Sequence, residues 1–205
     1  MTILLTAFDT YDSWDENSSW SALTEYLSLY GAAPDLRTRR YPVHLAKMRE
    51  RLEADLARGV DGVIHFGQRP GGSAVQLEAV ALNVAGTTRL PGGDFSVLVE
   101  DAPLAFRSHC PLGSWSEQLK QHGVPAEVSY HAGIYLCNAL MYLSHWWLHC
   151  RSLQIPVVFV HLPLTGGQVS RLDVPQPAVE VRVLAEAVRV LVELMRRTAV
   201  SSAVV

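Results

Sequence analysis

Apolar positions along this chain follow two alternating rhythms. Short, mainly apolar runs at residues 2–8, 62–66 and 156–161 have the length of strands, and residues 36–41 and 126–130 are read as two more. Between them lie segments of helical period. Residues 18–30 place Trp20, Leu23, Leu27 and Leu29 on one stripe behind a cap at Asn17 or Ser18. In residues 44–58, Leu45, Met48, Leu52 and Leu56 step by 3, 4 and 4, and Gly59 follows as a stop. Residues 137–149 form a third helix. The last, over 177–197, carries Val181, Leu184, Val188, Leu191 and Met195 at steps of 3, 4, 3 and 4. Strands alternating with helices predict an α/β chain, a single-domain α/β/α sandwich around a mostly parallel twisted sheet. Residues 67–127 are punctuated by Pro-Gly turns such as Arg69-Pro70-Gly71-Gly72 and give no clear element pattern.

Length and composition narrow this picture. A chain of 205 residues is close to one large domain at about 150 residues per domain, so residues 1–205 are expected to share one core. With 49% hydrophobic residues, 18% charged residues and a formal charge of −3, the chain has material for a packed interior and no basic footprint for nucleic acid. Met1 to Phe8 reads as a first strand and not as a signal peptide, and no apolar run approaches the ~20 residues that span a bilayer. A soluble cytoplasmic protein is expected, with neither nucleic acid nor membrane as partner. Three cysteines, Cys110, Cys137 and Cys150, without a CxxC pair, argue against a disulfide scaffold and against a cysteine-rich metal site.

In open α/β sheets, ligands collect beyond the carboxyl ends of strands, which selects residues 6–19, 67–83, 131–138 and 161–168. Cys137 opens a helix, where free N–H groups and the helix dipole favour a thiolate and can hold an oxyanion. A lone cysteine is more often a buried small hydrophobe, so the residue needs a partner. His161 ends a strand and Pro163 closes it. The spacing of 24 residues predicts one helix and one returning strand, with Cys137 and His161 on adjacent strand ends. No histidine pair has metal-ligand spacing, and neither metal nor organic cofactor is expected. Glu78 is a single carboxylate in the apolar run Val75 to Asn83, suited to orienting an imidazole or, equally, to an amphipathic surface.

At these residues the sequence resembles the pyroglutamyl peptidase I (pyrrolidone-carboxylate peptidase) family of cysteine peptidases. Three blocks carry the resemblance. Gly67, Pro70, Val75, Glu78, Val80, Ala81 and Asn83 are in register with the block around the family's acid, with Gln76 and Ala79 as departures. Ala132, Gly133, Tyr135, Leu136, Cys137 and Asn138 match the nucleophile block in full, and His161, Pro163 and Gln168 match the third. The resemblance implies Cys137 as nucleophile, His161 as acid and base, and Glu78 as the group that orients it. It implies a lactam pocket built with Phe8 and Tyr11, bordered by Asn17 and Gln68, and support of the oxyanion site by Arg89 and Asn138.

The family's Thr-Gly-Phe-x-Pro-Phe-Gly-Gly segment is here Thr6-Ala7-Phe8-Asp9-Thr10-Tyr11-Asp12-Ser13. Loss of its proline and glycines predicts an altered loop path and pocket. The implied substrates are N-terminally pyroglutamylated peptides. Another N-blocked or cyclic amide, and a non-catalytic lactam- or peptide-binding role, are the alternatives. The resemblance also implies a homo-oligomer, dimer or tetramer, for which Trp146-Trp147 is either a contact or ordinary core packing.

Overall fold

The structure, a computed structural model, describes residues 1–86 and 96–202. Strand β1 (Ile3–Phe8), helix α1 (Ser18–Tyr30), β2 (Leu36–Tyr41), α2 (Leu45–Ala57) and β3 (Gly62–Gln68) follow the expected alternation. Then come β4 (Val75–Glu78), β5 (Val80–Leu82), β6 (Ala105–Arg107), α3 (Leu112–Gln121) and β7 (Ala126–Ser129). The chain closes with α4 (Leu136–His149), β8 (Val157–Leu162), the short α5 (Gly166–Val169) and α6 (Val181–Ser202). The last helix starts four residues later than expected from Pro177, because Val179 N–H instead donates to the Leu164 carbonyl at 2.9 Å.

Six strands form one sheet in the order β2-β1-β3-β8-β4-β7. The first four run parallel, as do β4 and β7 with each other, but β4 meets β8 antiparallel. The sheet is thus mostly parallel, with a reversed pair at one edge. A second, two-stranded antiparallel sheet joins β5 to β6.

Alternation along each strand sends side chains to two separate cores. On one face Ile3, Leu5, Ile64, Leu77, Val158 and Val160 pack with α1, α3 and α6 through residues such as Leu23, Trp115, Leu184 and Leu191. On the other, Leu4, Val63, Val157 and Phe159 pack with α2 and α4 through Met48, Leu52, Leu140 and Tyr142. Each such aliphatic or aromatic side chain, cut back to alanine, costs about 2–5 kcal/mol.

The second face also carries a buried polar chain. Ser144 Oγ donates to Leu140 O at 2.8 Å, so the His65 Nε2–H donates to Ser144 Oγ at 2.8 Å, and Nδ1 accepts from Thr6 Oγ1 at 2.7 Å. Burial, and secondarily His145, drives His65 down to about 3, so it stays neutral and ties α4 to β3 and β1. Trp146 and Trp147 are half-buried against this core, with Arg151 stacked 3.9 Å from the centre of the Trp147 ring.

Candidate active site

The register of the sheet sets the site. His161 in β8 lies directly opposite Gly67 in β3 and opposite Gln76 in β4. Glu78, two residues on, pairs with Phe159 and reaches diagonally, so that His161 Nδ1–H donates to its Oε1 at 2.7 Å. Glu78 is completely buried and His161 is 6% exposed. Glu78 is therefore no surface residue of an amphipathic strand. Its other oxygen, Oε2, is buried with no hydrogen-bond partner among the described residues, which leaves His161 as the one group balancing its charge through a direct bond.

Cys137 is the second residue of α4, after Tyr135 as N-cap. The approach passes through Gly133 at φ 80, a left-handed turn that glycine enters without strain. The first N–H groups of a helix have no intrahelical acceptors, so those beside Cys137 face the site as donors. Opposite, Gly67 makes room. A Cβ there would sit 3.0 Å from Cys137 Sγ and 2.7 Å from Phe159 Cζ. Cys137 and His161 do meet, but not through adjacent strand ends. Strand β7, which leads to Cys137, is separated from β8 by β4 and runs opposite to it. Proximity comes from α4 lying across the sheet over β3 and β8.

Burial by itself pushes His161 down. The thiolate of Cys137, which also hydrogen-bonds the ring, and the carboxylate of Glu78 overturn that effect and hold His161 up at about 9. The geometry thus favours the charged form of the His161 imidazole.

A cavity of about 550 Å³ opens beside the sulfur. Phe8, Tyr11, Asn17, Gln68, Cys137 and His161 all border it. Residues Ala132 to Leu136 and Val43 also line it, although the sequence marked none of them as a wall of the pocket. The wall residues lie within the cysteine block and were legible there, whereas Val43 had no signal. Phe8 is nearly buried and its ring centre lies 6.5 Å from that of Phe159.

Side chains pin the loop that carries Tyr11. Asn17 Oδ1 accepts from Ser19 N–H and Ser19 Oγ, and its Nδ2 donates to Asp9 O at 3.0 Å. Gln68 Oε1 accepts from Ser18 N–H and from Gln168 Nε2, both at 2.7 Å, and Gln168 Nε2 also donates to Glu16 O. Asp12 stands at φ 56, so the backbone keeps the left-handed turn that a glycine would favour. At that position an aspartate tolerates the turn.

Asn138 is completely buried and turned away from the cavity. It accepts from Leu82 N–H and donates to the Leu82 and Val84 carbonyls, anchoring the segment after β5 to α4. That segment reaches Gly86, whose N–H donates to Ile134 O at 2.7 Å, just ahead of the cysteine. Asn138 thus buttresses the cysteine loop, and no contact of its side chain points to an oxyanion. Asn83 holds the neighbouring segment by accepting from Leu98 and Val99 N–H. Arg89 lies outside the described residues.

Among the described residues, no three His, Cys, Asp or Glu side chains converge as a metal site, and no helix is long and apolar enough to cross a membrane. Cys110 is buried, and its thiol is pushed up to about 11 by that burial. It does not compete with Cys137 as a nucleophile.

This arrangement can be set beside known proteins. The chain is 32% identical over 180 residues to a pyrrolidone-carboxylate peptidase of Clavibacter michiganensis, an alignment covering 85% of this chain and 84% of the relative. It is 28% identical to the one from Bacillus cytotoxicus, covering 94% and 92%. A mutant pyrrolidone carboxyl peptidase from Pyrococcus furiosus superposes with a TM-score of 0.87 at 27% identity, covering 97% of this chain and 99% of that one. The family model described as pyroglutamyl peptidase matches residues 1–198, and with that match the chain belongs to the pyroglutamyl peptidase family of cysteine peptidases.

Proposed function

We propose that the protein removes an N-terminal pyroglutamyl residue from peptides, with Cys137 as nucleophile, His161 as acid and base, and Glu78 as the carboxylate that orients the imidazole. One observation carries this reading. A cysteine at a helix N-terminus, an imidazole raised to about 9 and a buried carboxylate converge at the edge of an aromatic-walled cavity.

The reaction begins as the Cys137 thiolate attacks the pyroglutamyl carbonyl, forming a C–S bond while the carbonyl oxygen takes the negative charge. Helix N–H groups aimed at that oxygen stabilise it. His161 gives its Nε2 proton to the amide nitrogen, the C–N bond breaks, and the unblocked peptide leaves. Neutral His161 then takes a proton from water, the hydroxide attacks the thioester, and pyroglutamate departs with the thiolate restored. Glu78 holds Nδ1–H throughout, which fixes the ring and stabilises its charged form. The mechanism needs Cys137 reduced, as in a cytoplasm.

The test is hydrolysis of a fluorogenic pyroglutamyl amide by the reduced protein. Turnover that disappears in Cys137→Ala, with unchanged melting temperature, supports the reading. Absence of turnover by folded protein, or turnover surviving in Cys137→Ala, overturns it.

A further inference from the structure

Helix α4 meets strand β3 at two places. Cys137 and Ser144 are seven residues apart, so they lie on one stripe of the helix, about 10 Å from each other along its axis. His65 and Gly67 are two residues apart on β3 and face the same side of the sheet. At one place the Cys137 sulfur stands over Gly67, where an added Cβ would be 3.0 Å from it. At the other, His65 Nε2–H donates to Ser144 Oγ at 2.8 Å, and both side chains are completely buried.

The rest of this stripe is apolar, with Leu140, Met141 and Leu148 packed into the core beneath α4. Such contact holds a helix down but has no direction. A hydrogen bond is directional, and sets one point of the helix against one point of the strand. Asn138 anchors α4 elsewhere, to the segment after β5, and so does not tie it to the sheet that carries His161. His65 is itself committed. Thr6 Oγ1 on β1 donates to its Nδ1 at 2.7 Å, while Ser144 Oγ, spent as a donor on Leu140 O, can only accept from Nε2–H. Burial, and secondarily His145, drives the ring down to about 3, so it is neutral around pH 7 and takes no part as an acid or base.

We propose that His65 and Ser144 are positioning residues for the nucleophile: their hydrogen bond sets where α4 lies along β3, and through it where the Cys137 sulfur stands against His161. This rests on the reading of Cys137 as the attacking group.

The test removes the bond in two ways. Ser144→Ala deletes one partner. Thr6→Val, His65→Leu and Ser144→Ala together replace the whole polar chain by apolar groups, which recovers stability because no buried polar atom is left unmatched, yet does not recover the position of the helix. In each variant, checked for folding by urea unfolding, kcat for the pyroglutamyl amide should fall about 10-fold with KM within about threefold, as expected when a reacting atom is displaced. Burial pushes His161 down and the Cys137 thiolate leads the groups that hold it up, so the alkaline limb of the rate profile should move to lower pH. Alkylation of Cys137 by iodoacetamide at pH 7, followed by peptide mass, should also slow about 10-fold. Leu184→Ala, a destabilising change in the opposite core, should leave the limb and the alkylation rate as in wild type. A folded triple variant within about twofold of wild type in kcat and alkylation rate overturns the proposal, and Ser144→Ala is judged by the same limits if the triple variant does not fold. The same losses in Leu184→Ala also overturn it, since the bond would then matter only for stability. Failure of the pyroglutamyl reading is seen separately, as wild-type protein that is alkylated at Cys137 but turns over no pyroglutamyl amide, and the alkylation rates then decide the proposal alone.

Discussion

The two sides of the catalytic cavity are held by different kinds of structure. On the side of the chemistry, His161 and Glu78 sit on directly paired strands, Cys137 in the first turn of a long helix, and Glu78 and His161 are almost wholly removed from water. On the side of the ring, residues 9–16 are irregular and largely exposed, held by the amides of Asn17, Gln68 and Gln168. Two surface ion pairs, Arg40 with Asp9 and Arg171 with Glu16, add little, since exposed pairs contribute about 0–1 kcal/mol. In the proposed reading the reacting groups are thus held by the core itself, while contact with the ring falls to a few replaceable side chains. Sequence change can therefore accumulate in the loop without moving the triad, and this is where Thr10, Tyr11, Asp12 and Ser13 depart from the family pattern.

Substitutions that attack the two sides should behave differently. Glu78→Gln keeps an acceptor for His161 Nδ1–H but removes the charge, and should lower kcat by about 100- to 10,000-fold. The alkaline limb of the rate profile should move to lower pH, because one of the anions sustaining His161 at about 9 is gone. A pH–rate profile with an unmoved limb would show that Glu78 does not support the imidazolium.

Gly67→Ala comes next. Its Cβ would collide with the buried ring of Phe159 and press on Cys137 Sγ. Overpacking of this kind costs about 1–3 kcal/mol in urea unfolding. Displacement of the thiol should cut kcat/KM by about 10- to 100-fold, since misplacement of a reacting atom is costly. On the loop side, Asn17→Ala removes the cap of α1 and the bond to Asp9, for about 1 kcal/mol of stability. Its kinetic effect should be a KM raised about 3- to 10-fold with kcat little changed, the mark of lost binding without lost chemistry. An equal fall in kcat would erase the distinction between the two sides.

A further effect is on stability against pH. His161 stands near 9 in the folded protein against about 6.5 in an unfolded chain, so native protein holds its proton more tightly. That contribution is complete below about pH 6.5 and is lost as pH rises through about 9. Melting temperatures across pH 6–10 should fall over that window in wild type, and less in Glu78→Gln.

Much of this was legible in sequence because it depends on local pattern. Leu45, Met48, Leu52 and Leu56 mark α2, and the unbroken run of β8 marks a strand buried on both faces. Reversal of β4 was not legible, since four residues carry no sign of which neighbour they pair with or in which direction. Helix α3 hid behind Cys110-Pro111-Leu112-Gly113, which reads as a turn. Pro111 in fact caps a helix whose buried Leu112, Trp115 and Leu119 have helical spacing. The triad was legible as a set of residue types in register, whereas the route by which Cys137 reaches His161 depended on the unread middle segment. Gln68 was legible as a pocket residue, but not the hydrogen bonds that hold it, because its partners lie 50 and 100 residues away.

The antiparallel seam between β4 and β8 also constrains how this enzyme can move. Acid and imidazole are carried on neighbouring strands whose ladder runs through Gln76, Leu77 and Glu78, so separating them would mean tearing the sheet. The sulfur belongs to a different body, a helix resting on the sheet through side chains. A displacement of the thiol relative to its partners would therefore take place along the seam between helix and sheet, with the Glu78–His161 couple held together as one piece.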